Sequence, residues 1–314
     1  MRQSTLLRRG CVKRALVAGV LVICLGASAG APEAATPKPD CFNGLLAFAS
    51  LAPDAYSEIY SISFDGRRRD VSRTTGSDSF LQPSPDGSKV AYWTDGQLVV
   101  ANADGSDPRQ IPGASGQSDA SPTIAWSPDS RRFALTQAAV SRAVSGTYVA
   151  VFDLTTGHWT AFSGLGVEAP QWSPDGTAIA VDSALRTEVS LLRLDGTRVT
   201  PIAPGTLTGW SPDGKHLLIV NSSGQAQVVS VAGGAPETVA GLAVSGWTPD
   251  SSRLLGISTN LPDANTLETV AIDGSDPRVI AQDAGQARLS PDGRRVVFLR
   301  RTDQHVVVTD LDGN

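Results

Sequence analysis

Cysteine, methionine and histidine are scarce, with three Cys, one Met and three His in 314 residues. Cys11 and Cys24 both precede residue 30, which leaves Cys41 alone in the rest of the chain. A lone thiol has no partner for a disulfide and no companions for a thiolate metal site. The histidines, His158, His216 and His305, lie far apart with no spacing suited to one metal, so neither a metal nor a cofactor is expected. Charged residues make up 18% and aromatics 6%, whereas turn formers abound, with 31 Gly and 20 Pro. Such a composition excludes a coiled coil, a disordered tail and a multi-span membrane protein.

Charge is unevenly spread. The first 29 residues hold five basic side chains (Arg2, Arg8, Arg9, Lys13, Arg14) and no acid, then an apolar run from Ala15 to Gly26 and the small residues Ala27, Ser28 and Ala29. This is the layout of an export signal, with cleavage expected after Ala29. Leu7-Arg8-Arg9-Gly10-Cys11 resembles a twin-arginine signal, although Cys11 stands where that signal usually has an aromatic. The remaining chain would carry 21 basic against 31 acidic residues, a net charge of −10. So acidic a protein is a poor general binder of phosphate backbones, and no nucleic-acid partner is expected.

A tetrapeptide returns six times, as Ser84-Pro85-Asp86-Gly87, Ser127-Pro128-Asp129-Ser130, Ser173-Pro174-Asp175-Gly176, Ser211-Pro212-Asp213-Gly214, Thr248-Pro249-Asp250-Ser251 and Ser290-Pro291-Asp292-Gly293. The prolines are 37 to 46 residues apart, the period of a propeller blade. The tetrapeptide is a turn device: Pro presets φ, Asp bonds its own backbone, and Gly takes a positive φ. Trp126, Trp172, Trp210 and Trp247 stand two places before four of the prolines, where packing between neighbouring blades is their expected role. Each turn is followed by two apolar runs, such as 89–93 with 98–101 or 295–299 with 306–308. Runs apolar on both sides are strands buried on both faces. A second turn of Asp-Gly type follows, then a more polar edge strand.

These patterns predict an all-β chain, a β-propeller of four-stranded antiparallel blades, seven in number with six as the alternative. The expected organisation is a signal over 1–29, a short linker over 30–43 and the propeller over 44–314. The Trp-Ser-Pro-Asp-Gly pattern with its paired strands and Asp-Gly turn resembles the repeat of the TolB-type β-propellers, over residues 41–314. That resemblance implies the propeller alone. TolB proteins carry an α/β domain ahead of theirs, for which 30–43 has no room, so their envelope interactions do not transfer.

Little in the sequence points to catalysis. The nucleophile elbow of propeller-fronted serine peptidases, Gly-x-Ser-x-Gly, matches only at 26–30, inside the expected signal. Tyr92-Trp93-Thr94-Asp95 spells a lipoprotein-receptor signature once and does not repeat. Asp104-Gly105-Ser106-Asp107-Pro108-Arg109 and its copy at 273–278 have too few acids for calcium and read as turns. Candidate binding residues therefore come from the variable connections, which a propeller gathers on the face opposite its tight turns. Those before the tetrapeptides carry Asp78, Asp119 and Glu168, expected to converge at the channel mouth and draw a cation or basic group. Those between the paired strands carry Tyr56, Arg142, Arg186, Asp263 and Arg301.

The expected function is that of an exported, non-enzymatic, monomeric scaffold, without an integral membrane segment once the signal is cleaved. Its expected partner is a protein, peptide or glycan of the cell envelope or exterior. The alternative is a glycan hydrolase or lyase using two carboxyl groups about 5 to 10 Å apart.

Overall fold

The computed structural model describes residues 23–24, 46–51, 57–62, 68–73, 78–114, 124–141, 144–162, 166–183, 185, 187–195, 200–260, 264–290 and 293–314. All regular structure among them is β, in seven antiparallel sheets, six of four strands and the last of three. The chain divides into two compact units, residues 1–121 and 122–314.

The first unit holds two sheets. One comprises β1 (Ile23–Cys24), β2 (Leu46–Leu51), β3 (Ser57–Ile62) and β4 (Arg68–Asp70). Its first strand lies within the 1–29 segment expected as an export signal. The other comprises β5 (Asp78–Pro83), β6 (Lys89–Thr94), β7 (Gln97–Asn102) and β8 (Arg109–Gln110). Ile59 and Val71 of the first sheet pack on Leu81, Val90, Tyr92 and Val99 of the second.

The second unit holds five sheets. These are β9 (Ala125–Trp126), β10 (Arg132–Ser141), β11 (Val144–Asp153) and β12 (His158–Phe162); β13 (Val167–Trp172), β14 (Ala178–Ser183), β15 (Glu188–Arg193) and β16 (Thr200–Pro204); and β17 (Thr206–Trp210), β18 (His216–Val220), β19 (Ala226–Ser230) and β20 (Glu237–Val239). Then follow β21 (Leu242–Trp247), β22 (Arg253–Ser258), β23 (Leu267–Ala271) and β24 (Arg278–Ala281), and last β25 (Ala284–Leu289), β26 (Arg295–Arg300) and β27 (Val306–Asp310). Each sheet is a plain meander in chain order.

The apolar clusters join consecutive sheets of this unit. Val149 and Val151 meet Val167, Ile179 and Val181. Val189 and Leu191 meet Leu217 and Ile219, Leu218 and Val228 meet Leu254 and Val270, and Leu255 and Leu267 meet Val296 and Phe298. Burial on both faces of the central strands follows, as in β14, where the first five residues are all buried. Trp172, Trp210 and Trp247 take the place expected of them between sheets, while the Trp126 ring meets Phe133 of its own sheet edge-on at 5.6 Å. Trp172 Nε1 donates to the Ala125 carbonyl of the preceding inner strand at 2.9 Å, and Trp210 Nε1 donates to that of Gln171 at 3.1 Å. The Arg132 guanidinium also lies 4.9 Å from the Trp172 ring, a cation–π contact.

One pair departs from the both-faces expectation. β26 alternates buried and exposed residues, and Val297, Val306 and Val308 are exposed. Val296 and Phe298 of the last sheet pack on Leu255 and Leu267 of the preceding one, and the residues that alternate with them are the exposed ones.

The turns follow the chemistry expected of them. Ser84 Oγ donates to Asp86 Oδ1 at 2.6 Å and accepts the Lys89 N–H at 2.9 Å, while Asp86 accepts the Ser88 N–H at 3.0 Å. The same three bonds recur at 127–132, 173–178, 211–216 and 248–253. The fourth residue is left-handed in every copy, with φ of 70° at Gly176 and 71° at Gly214, but also 58° at Ser130 and 60° at Ser251. Serine there is strained. At Ser251 the hydroxyl offsets this by accepting the Asp213 N–H of the preceding turn at 2.9 Å.

Candidate functional site

A four-stranded meander has two unlike ends. At one lie the tetrapeptide and the second turn, held side by side by bonds such as Ala103 N–H to the Ser88 carbonyl and Leu194 N–H to that of Thr177. The carboxylates there are fully engaged. Asp175, Asp213 and Asp250 are held below the usual carboxylate range, first by the hydroxyls of Ser173, Ser211 and Thr248 and then by further hydrogen bonds. Asp104 and Asp273 belong to this end too and accept from the backbone and hydroxyl of Ser106 and Ser275, as plain turns do.

The other end is irregular. In five sheets the inner strand carries a β-bulge against its neighbour, between Ser79 and Gln82, Glu168 and Gln171, Leu207 and Gly209, Val244 and Gly246, and Ala284 and Ala287. Bulges re-aim side chains and cluster next to binding sites. Two hold non-glycine residues at positive φ, Phe80 at 54° and Ala169 at 48°. For a bulky residue this is a strained conformation, and Phe80 is nevertheless 46% exposed.

The structure corrects the placing of the acids. Asp78 and Glu168 do not lie on connections; both belong to inner strands. Asp78 faces Thr94 across β5 and β6 and is 1% exposed. Glu168 faces Asp182 across β13 and β14 and is half-buried. Counted from the bulges, Asp78 matches Val167 and Glu168 matches Ser79. Because side chains alternate along a strand, that one-residue offset puts the two acids on opposite sides of their strands. They are not two members of one ring of equivalent positions. Beneath Asp78 lies Tyr92, whose hydroxyl pKa is pushed up to about 12, chiefly by burial and secondarily by the Asp78 charge.

Arg301 lies where expected, exposed, directly after β26. Tyr56, Asp119, Arg142, Arg186 and Asp263, like Cys41 and the expected cleavage site, lie outside the described residues.

Sequence reasoning missed Asp182. It is 2% exposed near the end of β14, and its Oδ1 accepts the Leu207 N–H of the next sheet at 2.7 Å. A charged hydrogen bond across two sheets explains an acid in an apolar strand. The signal was available as the single carboxylate in Ala-Ile-Ala-Val-Asp-Ser. Like charges directly opposite one another destabilise a sheet, and Asp182 facing Glu168 is the one such pair of acids among the described strand partners.

The histidines are scattered over three sheets. His158 opens the outer strand β12 opposite Asp153, His216 stacks on Trp247 with ring centres 6.2 Å apart, and His305 Nδ1 bonds Asp303 at 2.8 Å. Among the described residues no three His, Cys, Asp or Glu side chains are grouped as metal ligands.

No family model matches the chain, and no curated protein matches it in sequence. Solved structures match it in fold. An oligogalacturonate lyase in complex with manganese superposes with a TM-score of 0.61 at 14% identity over 84% of this chain and 85% of its own. A prolyl endopeptidase gives 0.63 at 16% identity over 88% of this chain and 48% of its own. TolB from Acinetobacter baumannii gives 0.44 at 16% identity. At such identities the likeness is one of fold, and the chain has the β-propeller architecture that these lyase and peptidase structures share.

Proposed function

We propose that this chain is an exported, non-enzymatic binding module that recognises a protein, peptide or glycan through the loop ends of its sheets. What supports the reading is the contrast between the two ends. At the tight-turn end the acids of the repeats are spent on their own turns, so that end has little left with which to recognise a partner. In the second unit the loop end combines four bulged inner strands, the half-buried Glu168 and the exposed Arg301. Bulged strands re-aim side chains and cluster next to binding sites, and connections on one face of a rigid scaffold are where binding residues gather.

The test is capture of partners from the exported fraction. Glu168→Lys with Arg301→Glu is expected to lose the partners that the wild type retains. Lys215→Glu, which reverses an exposed charge at the turn end, is expected to keep them. The reverse outcome would remove the reading.

A catalytic reading would draw on Glu168 and Asp182 as its acid pair. Against it, Asp182 is sealed from solvent and holds a backbone N–H, whereas an acid–base residue must exchange protons with substrate or water. Turnover of a glycan that Glu168→Gln abolishes would reinstate it.

A further inference from the structure

The last sheet is close to charge balance in an acidic protein. Residues 284–314 hold five arginines against four aspartates in a chain of net charge −5. At its loop end the described acids are already engaged. Asp303 Oδ2 takes Arg300 Nη1 at 3.1 Å and His305 Nδ1 at 2.8 Å. Asp283 accepts the Arg301 N–H through its carbonyl at 2.9 Å and the Thr302 N–H through Oδ2 at 3.0 Å. No carboxylate among the described residues lies within ion-pair distance of the Arg301 guanidinium.

Arg301 borders a depression of about 390 Å³, lined also by Gly285, Gln286, Leu299 and Gln304. The volume is that of a small-molecule site. Two features hold it open. Gly285 leaves room that a side chain would fill, since a Cβ there would sit 3.2 Å from the Leu299 carbonyl oxygen and 3.6 Å from Arg301 Cγ. Gln304, left-handed at φ 57°, ties its amide to the Arg301 carbonyl at 2.8 Å, bracing the loop. The lining residues are thus one arginine, two glutamines, a leucine and a glycine.

We propose that this depression is a carboxylate-binding site, with the Arg301 fork taking the two oxygens and Gln286 and Gln304 taking neighbouring hydrogen-bonding groups of the ligand. A planar guanidinium matches a carboxylate bidentately, and carboxamides both donate and accept. A peptide C-terminus and a sugar acid share this chemistry. The proposal rests on the loop end being the recognition surface, and it names what one sheet of that surface recognises.

The test is calorimetric titration of the full chain at low salt with two pairs of probes, acetyl-alanyl-alanine against its amide and glucuronate against glucose. At least one acid is expected to bind tenfold or more tightly than its neutral counterpart, and which acid does so identifies the source. Arg301→Gln is expected to weaken that binding about tenfold or more, with Arg301→Lys in between, because lysine keeps the charge and loses the fork. Gly285→Val is expected to weaken it by filling the floor. Arg301 is exposed, so far-UV circular dichroism and the thermal midpoint of both Arg301 variants should match wild type. Binding of neither acid, or binding indifferent to Arg301→Gln, overturns the proposal. If partner capture then still depends on Glu168, the wider reading survives without this pocket; if capture depends on neither residue, both fall.

Discussion

The turn end and the loop end of a blade are built from the same strands, yet they spend their polar groups in opposite ways. At the turn end each tetrapeptide aspartate meets a hydroxyl, a backbone N–H and a left-handed fourth residue, and the carboxylate and the first hydroxyl find partners within five residues. At the loop end Asp182 reaches 25 residues ahead for its partner, and Glu168 faces a like charge. Local closure makes the first end stable and uniform from sheet to sheet. The second pays in repulsion and strain, which is tolerable where a partner is to be met.

Four sets of substitutions would break or sharpen that contrast. Trp172, just inside the turn end, carries the largest expected effect. Trp172→Ala should cost about 3–5 kcal/mol in urea unfolding through the cavity left between two sheets, and Trp172→Phe clearly less, since only the bond to the Ala125 carbonyl and part of the ring are lost. Asp182→Ala should follow at about 1–3 kcal/mol, because it strands a buried N–H of Leu207. A loss no larger than that at an exposed site would show that the loop end has no structural acid.

The third concerns pH. The folded-state pKa values of Asp175, Asp213 and Asp250 lie below the ordinary value of 3.8. Their stabilising contribution is therefore present above that value and disappears as pH falls through the lower folded values. Asp175→Asn with Asp213→Asn and Asp250→Asn should lower the unfolding midpoint at pH 7 and flatten its decline below pH 4. An unchanged acid slope would mean that these turns do not hold the charged form. The smallest effect has the opposite sign. Glu168→Gln removes one of two facing charges and should raise stability by a few tenths of a kcal/mol at pH 7, whereas neutralising a turn-end acid lowers it.

Legibility in the sequence follows the same division. The tetrapeptides could be read as turns because the bonds that close each turn lie within five residues, down to the left-handed fourth position. The tryptophans could be assigned to inter-sheet packing because a large aromatic recurring at a forty-residue period has few other uses. Asp78 and Glu168 were misplaced because a strand continuing past a bulge looks, in sequence, like the connection before it. The exposed face of β26 was missed because its apolar residues match those of strands buried on both faces, and only tertiary packing distinguishes them.

By itself, then, the order of residues determined the repeating unit, its turns and its all-β character, since each depends on short-range backbone chemistry and on alternation along a strand. Which side of a strand an acid faces, which N–H in the next sheet Asp182 holds, and which groups surround Arg301 were decided only by the tertiary structure. A single inserted bulge residue reverses every side chain beyond it, and a partner 25 residues away is set by how sheets stack.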